Sequence, residues 1–364
     1  MSISVVARMT DQFKTYRVTE KTVESSIITS FLLQPESGAV PGFCPGEYLI
    51  FDLPCDADGG SIRREYSISG QIGDALRVTI KREPAIGDHP PGRASGYFHD
   101  KITPGSTVRA AGPFGQFQLD RATTREAVLL SGGVGLTPMV AMARELALMG
   151  KPATFIHACE DGSAHAMAAE LRDLASLGKC LTTHFCYRLP RHEDKPGRDY
   201  DSTGFLTAGT LQSLLPLADY DFYLCGPGPF MQAIYEILIG LGVREERISY
   251  EFFGPATLLR PRKAATHLPP ASVLAGKPEI GPMVHFAKSG LSIAWDPAIE
   301  NLLEFAEEQG LMPDHSCRAG TCESCKTKVL AGETEYLFQP FEVPTDGTVL
   351  ICCSKPKGDI TLDL

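Results

Sequence analysis

Near the C-terminus stand Cys317, Cys322 and Cys325, separated by four and then two residues, and further on a pair, Cys352 and Cys353, inside Leu350-Ile351-Cys352-Cys353-Ser354-Lys355-Pro356. A single short loop that presents three thiolates can serve two irons, and this spacing is that of plant-type [2Fe-2S] sites. Arg318 to Thr321 carry no bulky apolar side chain, and Gly320 permits a turn that aims backbone N–H groups at sulfur. A structural zinc site with four cysteines is the competing reading. Such sites favour repeated short spacings, and the four-residue gap departs from them.

A one-electron centre needs a source of electrons, which must lie upstream. The chain has 364 residues, enough for two or three domains. Its net charge of −10 argues against nucleic acid and anionic membrane as partners. No run approaches the ~18 apolar residues of a membrane span, and the first residues lack the basic-then-apolar pattern of a secretory leader. The 11 cysteines form an odd, scattered set, which suits a reducing cytoplasm and not a disulfide framework.

From about Phe13 to Asp120 the chain reads as antiparallel β. Runs at 26–33, 47–53 and 76–82 are rich in β-branched and aromatic residues, punctuated by Gly, Pro and Asp, and their regular recurrence predicts a barrel. From Ala127 strands and helices alternate, which predicts a parallel sheet covered by helices: strands at 127–130, 153–157, 182–187, 221–224 and 248–251, helices at 139–149, 164–174 and 231–241. Residues 257–282 hold Pro261, Pro269, Pro270, Pro278 and Pro282 among basic residues and read as an extended tether. Structure resumes with a hairpin at 284–295 and an amphipathic helix at 299–308, stopped by Gly310. From Met283 onward there are 13 acidic and 6 basic residues, a net of −7.

Several upstream motifs carry chemistry. Arg64 and Tyr66 share one face of a strand, with Ser67 beside them, and could hold a phosphate and an aromatic ring; cross-strand Arg/Tyr pairs are also common for structural reasons. Gly92 to Ser95 is either an anion cradle or a plain loop. Gly132, Gly133, Gly135, Thr137 and Pro138 follow a strand and open a helix, which suits a pyrophosphate or a tight packing turn; the pattern is not G-x-G-x-x-G. Cys225, Gly226 and Pro227 end another strand, where ligands of open α/β sheets bind. Cys225 is either a nucleophile or, more in keeping with buried cysteines, a packing contact at a cofactor. Phe252 and Phe253 before Gly254-Pro255 are either core or a cofactor lid.

These pieces occur in a familiar order. Arg64-Glu65-Tyr66-Ser67, Ile80 to Glu83, Gly92 to Asp100, Gly112 to Phe117, Ser131 to Met139, His157-Ala158, Tyr223 to Pro227 and Glu251 to Pro255 resemble the reductase half of flavohaemoglobins, within the ferredoxin–NADP reductase-like family. The last 80 or so residues resemble a plant-type ferredoxin. No globin stretch precedes the barrel in this sequence, so nitric oxide dioxygenation is not among the expectations.

The resemblance implies a multidomain β + α/β + α+β protein: an antiparallel flavin-binding β-barrel over 1–122, a parallel-sheet nicotinamide-binding domain over 123–256, a linker over 257–282 and a C-terminal β-grasp ferredoxin over 283–364. It implies that Arg64, Tyr66 and Ser67 hold the flavin, that Gly92 and Ser95 meet its pyrophosphate, and that Gly132, Gly133, Gly135 and Thr137 line the nicotinamide nucleotide site. Cys225, Gly226 and Pro227 would flank the nicotinamide ring, and Phe253 would cover the flavin; Cys225, Ser67 and Phe253 are the expected catalytic contacts. FAD is expected over FMN because Gly92 to Asp100 matches FAD-binding relatives. NADH is expected over NADPH because Glu160 and Asp161 stand where a basic residue would meet a 2′-phosphate. The ferredoxin pattern L-x-C with Pro four residues on selects Cys352 as the fourth ligand after Cys317, Cys322 and Cys325, with Cys353 on the opposite face if the segment is extended. The domain order resembles reductases of Rieske-type oxygenases and also the reductase of hybrid-cluster protein. The expected partner is a terminal oxygenase, with hybrid-cluster protein or another electron acceptor as alternatives. A flavin and iron–sulfur redox sensor is the reading from a different class.

Overall fold

The computed structural model describes residues 12–54, 60–85, 90–178, 180–253, 259, 281–315 and 317–364. Most of the expected tether thus lies outside the described residues. Within it Leu259 is described, and it is buried in the same core as Val128, Leu224 and Ile248.

Six strands close an antiparallel barrel in the order β1-β2-β5-β4-β3-β6: β1 (Lys14–Val23), β2 (Ile28–Pro35), β3 (Tyr48–Leu53), β4 (Ile62–Ile72), β5 (Ala75–Lys81) and β6 (Thr107–Phe114). Alternating residues fill it, Tyr16 and Val18 from β1 and Phe31 and Leu33 from β2. Helix α1 (Arg93–Lys101) plugs the barrel with Phe98, whose ring lies 5.2 Å from those of both Phe31 and Phe51.

A six-stranded parallel sheet follows in the order β10-β9-β8-β7-β11-β12, from β7 (Glu126–Gly132), β8 (Ala153–Cys159), β9 (Leu181–Tyr187), β10 (Ser202–Thr203), β11 (Tyr220–Gly226) and β12 (Ile248–Phe252). Its helices are α2 (Leu136–Met149), α3 (Ala168–Gly178), α4 (Ala208–Leu214) and α5 (Gly228–Gly240). Helix α3 starts four residues later than its apolar pattern suggests, because Met167 adopts φ 57° and breaks the helical path. Barrel and sheet together form one compact unit.

The C-terminal unit is a β-grasp fold. Strands β13 (Met283–Phe286), β14 (Leu291–Ala294), β15 (Lys326–Ala331), β17 (Thr348–Leu350) and β19 (Ile360–Leu362) form a mixed sheet ordered β14-β13-β19-β15-β17, with β13 and β19 parallel. Strands β16 (Thr334–Tyr336) and β18 (Ser354–Pro356) make a separate ribbon. Helix α6 (Leu302–Glu308) shares the core through Leu302, Leu303 and Phe305. It begins three residues later than expected because Asn301 caps it, its side chain accepting from the Glu304 N–H at 3.0 Å. Among the described residues no helix is long and apolar enough to cross a membrane.

Candidate functional site

The barrel half of the site is built on β4. Tyr66 sits at the rim of the core, its ring 5.4 Å from Phe98 of α1 and 5.7 Å from Phe51. Ser67 is buried beside it, and Arg64 is half-buried two residues back. The Tyr66–Phe98 contact packs α1 against this strand. At the helix start Gly92 is the N-cap and supplies no side-chain cap, which leaves the first-turn N–H groups to a ligand. A Cβ on Gly92 would stand 2.7 Å from Ser95 Oγ and 2.9 Å from Glu83 Cβ. The Ser95 hydroxyl is already engaged, donating to Gly92 O and accepting from Glu83 N, each at 3.1 Å. It shapes the turn, so Ser95 can reach an anion through its backbone N–H and not its side chain. Together these residues suit an aromatic isoalloxazine and a pyrophosphate.

The sheet half lies at the carboxyl ends of β7, β11 and β12. Ser131, Cys225 and Glu251 are neighbours in register across these three strands. The loop after β7 turns through Gly133 at φ 52° into a short 3-10 turn, and α2 opens with Leu136 and the buried Thr137. Gly135 lies flat on β11: a Cβ there would be 2.3 Å from the Cys225 carbonyl oxygen. Gly132 and Gly226 both pack under Phe230, at 2.8 and 2.7 Å for their ideal Cβ positions, and exposed Pro227 caps α5. A side chain at any of these three glycines would collide with Phe230 or the β11 backbone, so their bareness is what lets the loop, β11 and α5 pack this closely at the strand ends. Phe253 is half-buried against the cluster that contains Cys225, Val134 and Tyr223.

Cys225 is fully buried, and burial followed by the nearby Glu251 charge pushes its thiol far above the ordinary range. It stays protonated, which removes the nucleophile reading and leaves the packing one.

Two acidic residues of the site carried no assignment in the sequence reading. Glu251 is half-buried as a residue, but its Oε2 is shut from solvent and has no protein partner. Burial, then the charge of Glu65, pushes its carboxyl up to about 8. Glu65 lies between Arg64 and Tyr66 on β4, so this coupling brings the β4 motif and the ends of β11 and β12 to one place. Both residues stood inside quoted motifs, but nothing in a local sequence shows which strand glutamate is walled off.

Beyond the ends of β8 and β9 a cleft of about 400 Å³ is lined by Ser163, His165, Arg172, Tyr187, Asp194 and Asp199, among others. His165 Nδ1 lies 2.9 Å from Tyr187 Oη, and His157 Nδ1 lies 2.9 Å from Ser131 Oγ. Both imidazoles have a buried Nε2 without a partner, and burial lowers them to about 2 and about 4, so both are neutral at physiological pH. Glu160 binds Arg188 at both oxygens, 2.7 and 2.6 Å.

In the C-terminal unit the loop after α6 gathers the thiols. Arg318, Gly320 and Glu323 take φ 50°, 67° and 61°, a winding that turns backbone N–H groups inward. The N–H groups of Ala319, Thr321 and Cys322 point at Cys317 Sγ from 3.3, 3.3 and 3.4 Å. Those of Cys317 and Ser324 point at Cys322 Sγ, both from 3.4 Å. The guanidinium of Arg318 ties the loop to α6 through Glu307, with His315 Nε2 3.2 Å away. Cys352 hydrogen-bonds with both Cys317 and Cys325, so the four expected ligand sulfurs converge. Cys317 is pulled down, first by Cys322 and then Cys352, and Cys325 by Cys352, while Cys352 is pushed up by the same partners. Four converging thiols, with backbone N–H groups aimed at Cys317 and Cys322, are a donor set that fits a [2Fe-2S] cluster.

The expected geometry of Cys353 is corrected. Residues 351–353 form a 3-10 turn and not a strand, so alternation does not govern them. Cys353 is fully buried; its Sγ lies 3.5 Å from Leu350 O and 3.0 Å from where a Cβ on Gly320 would be.

Comparison with known proteins gives the same division. The oxidoreductase FAD-binding domain family matches residues 15–119, the oxidoreductase NAD-binding domain family residues 129–236, and the 2Fe-2S iron-sulfur cluster binding domain family residues 286–357. A flavohaemoprotein of Chromobacterium violaceum is 41% identical over 66% of this chain, and one of Bacillus thuringiensis is 36% identical over 68%. The chain spans 61% and 62% of their lengths. The FAD/NAD-binding domain of a Vibrio cholerae nitric oxide dioxygenase matches 66% of this chain and 99% of its own, at 36% identity and a TM-score of 0.59. Phthalate dioxygenase reductase shares the fold across 98% of this chain and 99% of its own, at 24% identity and a TM-score of 0.56. This chain therefore belongs to the ferredoxin–NADP reductase-like family, as an NAD(P)H-dependent oxidoreductase that joins an FAD-binding barrel and an NAD-binding domain to a [2Fe-2S] ferredoxin domain.

Proposed function

We propose that this protein draws electrons from NADH and delivers them singly to a separate terminal oxygenase of the Rieske type. The observation that carries this reading is the converging set Cys317, Cys322, Cys325 and Cys352 in a compact unit of its own, within a stretch of 13 acidic and 6 basic residues. Its shape-relatives include phthalate dioxygenase reductase and a ferredoxin reductase of carbazole 1,9a-dioxygenase, both at the level of fold.

FAD held here would supply a two-electron hydride acceptor that can also give electrons singly, and a [2Fe-2S] cluster on the four cysteines would supply a one-electron centre. The chain's own part is placement. Arg64, Tyr66 and Ser67 hold the flavin, and Gly92 with the first N–H groups of α1, that of Ser95 included, hold its pyrophosphate. Gly132, Gly133, Gly135 and Thr137 seat the nicotinamide nucleotide, with its adenosine end in the cleft beyond β8 and β9. Cys225, Gly226 and Pro227 back the nicotinamide ring, and Phe253 covers the flavin until the ring arrives. Glu160 occupies the Arg188 guanidinium, which favours NADH, since a 2′-phosphate would have to compete for it.

An acidic cluster-bearing unit docks through charge, so its encounter with a basic oxygenase surface weakens with salt. Raising ionic strength from about 0.05 to about 0.3 M should slow oxygenase-coupled turnover several-fold, while flavin reduction by NADH in the absence of oxygenase stays constant. Stopped-flow and coupled oxygen-uptake assays across salt read both. A flat coupled rate would count against the docking mode, and no transfer to any purified Rieske oxygenase would count against the partner class.

A further inference from the structure

The contact between barrel and sheet is largely apolar: Ile28 and Phe117 pack with Leu136, Met139, Val140 and Met142 of α2. Apolar burial holds two bodies together but has no direction, so it does not fix their rotation. One buried polar constellation in this contact does have direction. Arg77 of β5 is 5% exposed and donates to Glu170 at both carboxylate oxygens, 2.6 and 3.1 Å. The same guanidinium reaches back to β4, donating to Ser69 Oγ at 3.1 Å and Ser69 O at 3.0 Å. Glu170, in the first turn of α3, also accepts from Arg144 of α2 at 2.6 Å. One carboxylate thus links the barrel to two helices of the nicotinamide domain.

The placement has a consequence for the reaction. Helix α2 packs on β4, the strand of Arg64, Tyr66 and Ser67, and the nicotinamide loop opens the same helix. Arg144 stands seven residues from Thr137, an arm of about 10 Å at 1.5 Å per residue. A rotation of about 5° about the clamp moves the loop by nearly 1 Å, and hydride donor and acceptor must meet within about 3–3.5 Å. We infer that Glu170, held between Arg77 and Arg144, is a positioning residue that sets the nicotinamide site against the flavin site. It rests on the reading of this site as one of nicotinamide-to-flavin hydride transfer. The ion pairs have the geometry for this role: both are charge-assisted, the Arg77 pair is bidentate and buried, and Arg144 adds a single bond from a half-buried side chain.

Two variants test it, Glu170→Ala and the apolar double replacement Arg77→Met with Glu170→Leu. Replacing a buried ion pair by packed apolar side chains commonly preserves or raises stability, so the double variant separates fixing a rotation from merely holding the fold. Both should reduce flavin with NADH about tenfold more slowly at saturating nucleotide. Flavin content and dithionite-driven cluster reduction should stay at wild-type values, and the double variant should keep the wild-type Tm. A second readout needs no cofactor. The Ser26 N–H crosses to Ser163 O at 2.9 Å, and hydrogen exchange at Ser26 in the apoprotein should lose protection in both variants. Wild-type reduction rates in the double variant, or unchanged exchange at Ser26, would overturn the inference. A wild-type protein whose flavin is not bleached by NADH would instead overturn the reading on which it rests.

Discussion

Replacing Cys352 with serine is expected to abolish the visible iron–sulfur absorption, and replacing Cys353 with serine to leave it in place. The two cysteines are adjacent and both buried, so exposure does not separate them. Their surroundings do. Cys352 hydrogen-bonds with Cys317 and Cys325 as well as with its neighbour Cys353, so it is the residue that joins the sulfurs of the 317–325 loop. Cys353 turns within the 3-10 segment toward Leu350 O and stands behind Gly320. Gly320, at φ 67°, leaves no room for a Cβ between Pro340 and that sulfur, so Cys353 acts as a wedge under the loop. Serine is smaller and more polar there and should cost about 1–2 kcal/mol of stability without removing a ligand. In Cys352→Ser the FAD should still be reduced by NAD(P)H, while electron delivery to an oxygenase falls to background. Absorption and electron paramagnetic resonance of the reduced proteins decide it. Loss of the cluster in Cys353→Ser with retention in Cys352→Ser would reverse the assignment.

That case shows what a sequence can carry. Ligand spacing is local, because one loop must span the metal group, and so Cys317, Cys322 and Cys325 are readable from their intervals. Strand and helix patterns are likewise local: recurring β runs predict a barrel and strand–helix alternation a parallel sheet, while the count of six barrel strands comes from the structure. Local dihedral choices are less legible. The 3-10 turn at 351–353, the left-handed Met167 and the Asn301 cap each moved an element or a side chain by a few residues. Ser95 shows a further limit: its hydroxyl is taken by Glu83, 12 residues upstream, a pairing that no motif spells out. Least legible are residues whose chemistry comes from burial. Arg77 and Glu170 are ordinary charges, 93 residues apart, until barrel and sheet close on them.

Glu251 belongs to that last group, and its replacement by glutamine should alter both stability and hydride transfer. Burial, then the charge of Glu65, raises its carboxyl to about 8 against an ordinary value of 4.5. A carboxyl raised on folding binds a proton that the unfolded chain releases. Between pH 4.5 and 8 the native state therefore holds more protons than the unfolded one, and stability falls as pH rises. The slope from one such group is at most about 1.4 kcal/mol per pH unit, full stability being present below about 4.5 and the loss complete above about 8. Glu251→Gln removes the ionisation, so its stability relative to wild type should increase steadily from pH 5 to pH 8. Urea midpoints of both apoproteins across that range measure it, and a pH-independent difference would refute the raised carboxyl. The same proton matters to the site. At neutral pH Glu251 keeps it beside Cys225, on a carboxyl whose buried Oε2 has no protein partner. Glu251→Ala should slow flavin reduction by about 10- to 100-fold, within the range of a positioned acidic group, while leaving flavin bound. Wild type should lose rate as pH passes about 8, and Glu251→Gln, which keeps a donor but cannot ionise, should retain more of the rate than Glu251→Ala and show no such fall. Equal rates in Glu251→Ala and wild type would place this carboxyl outside the reaction and leave its proton a consequence of burial alone.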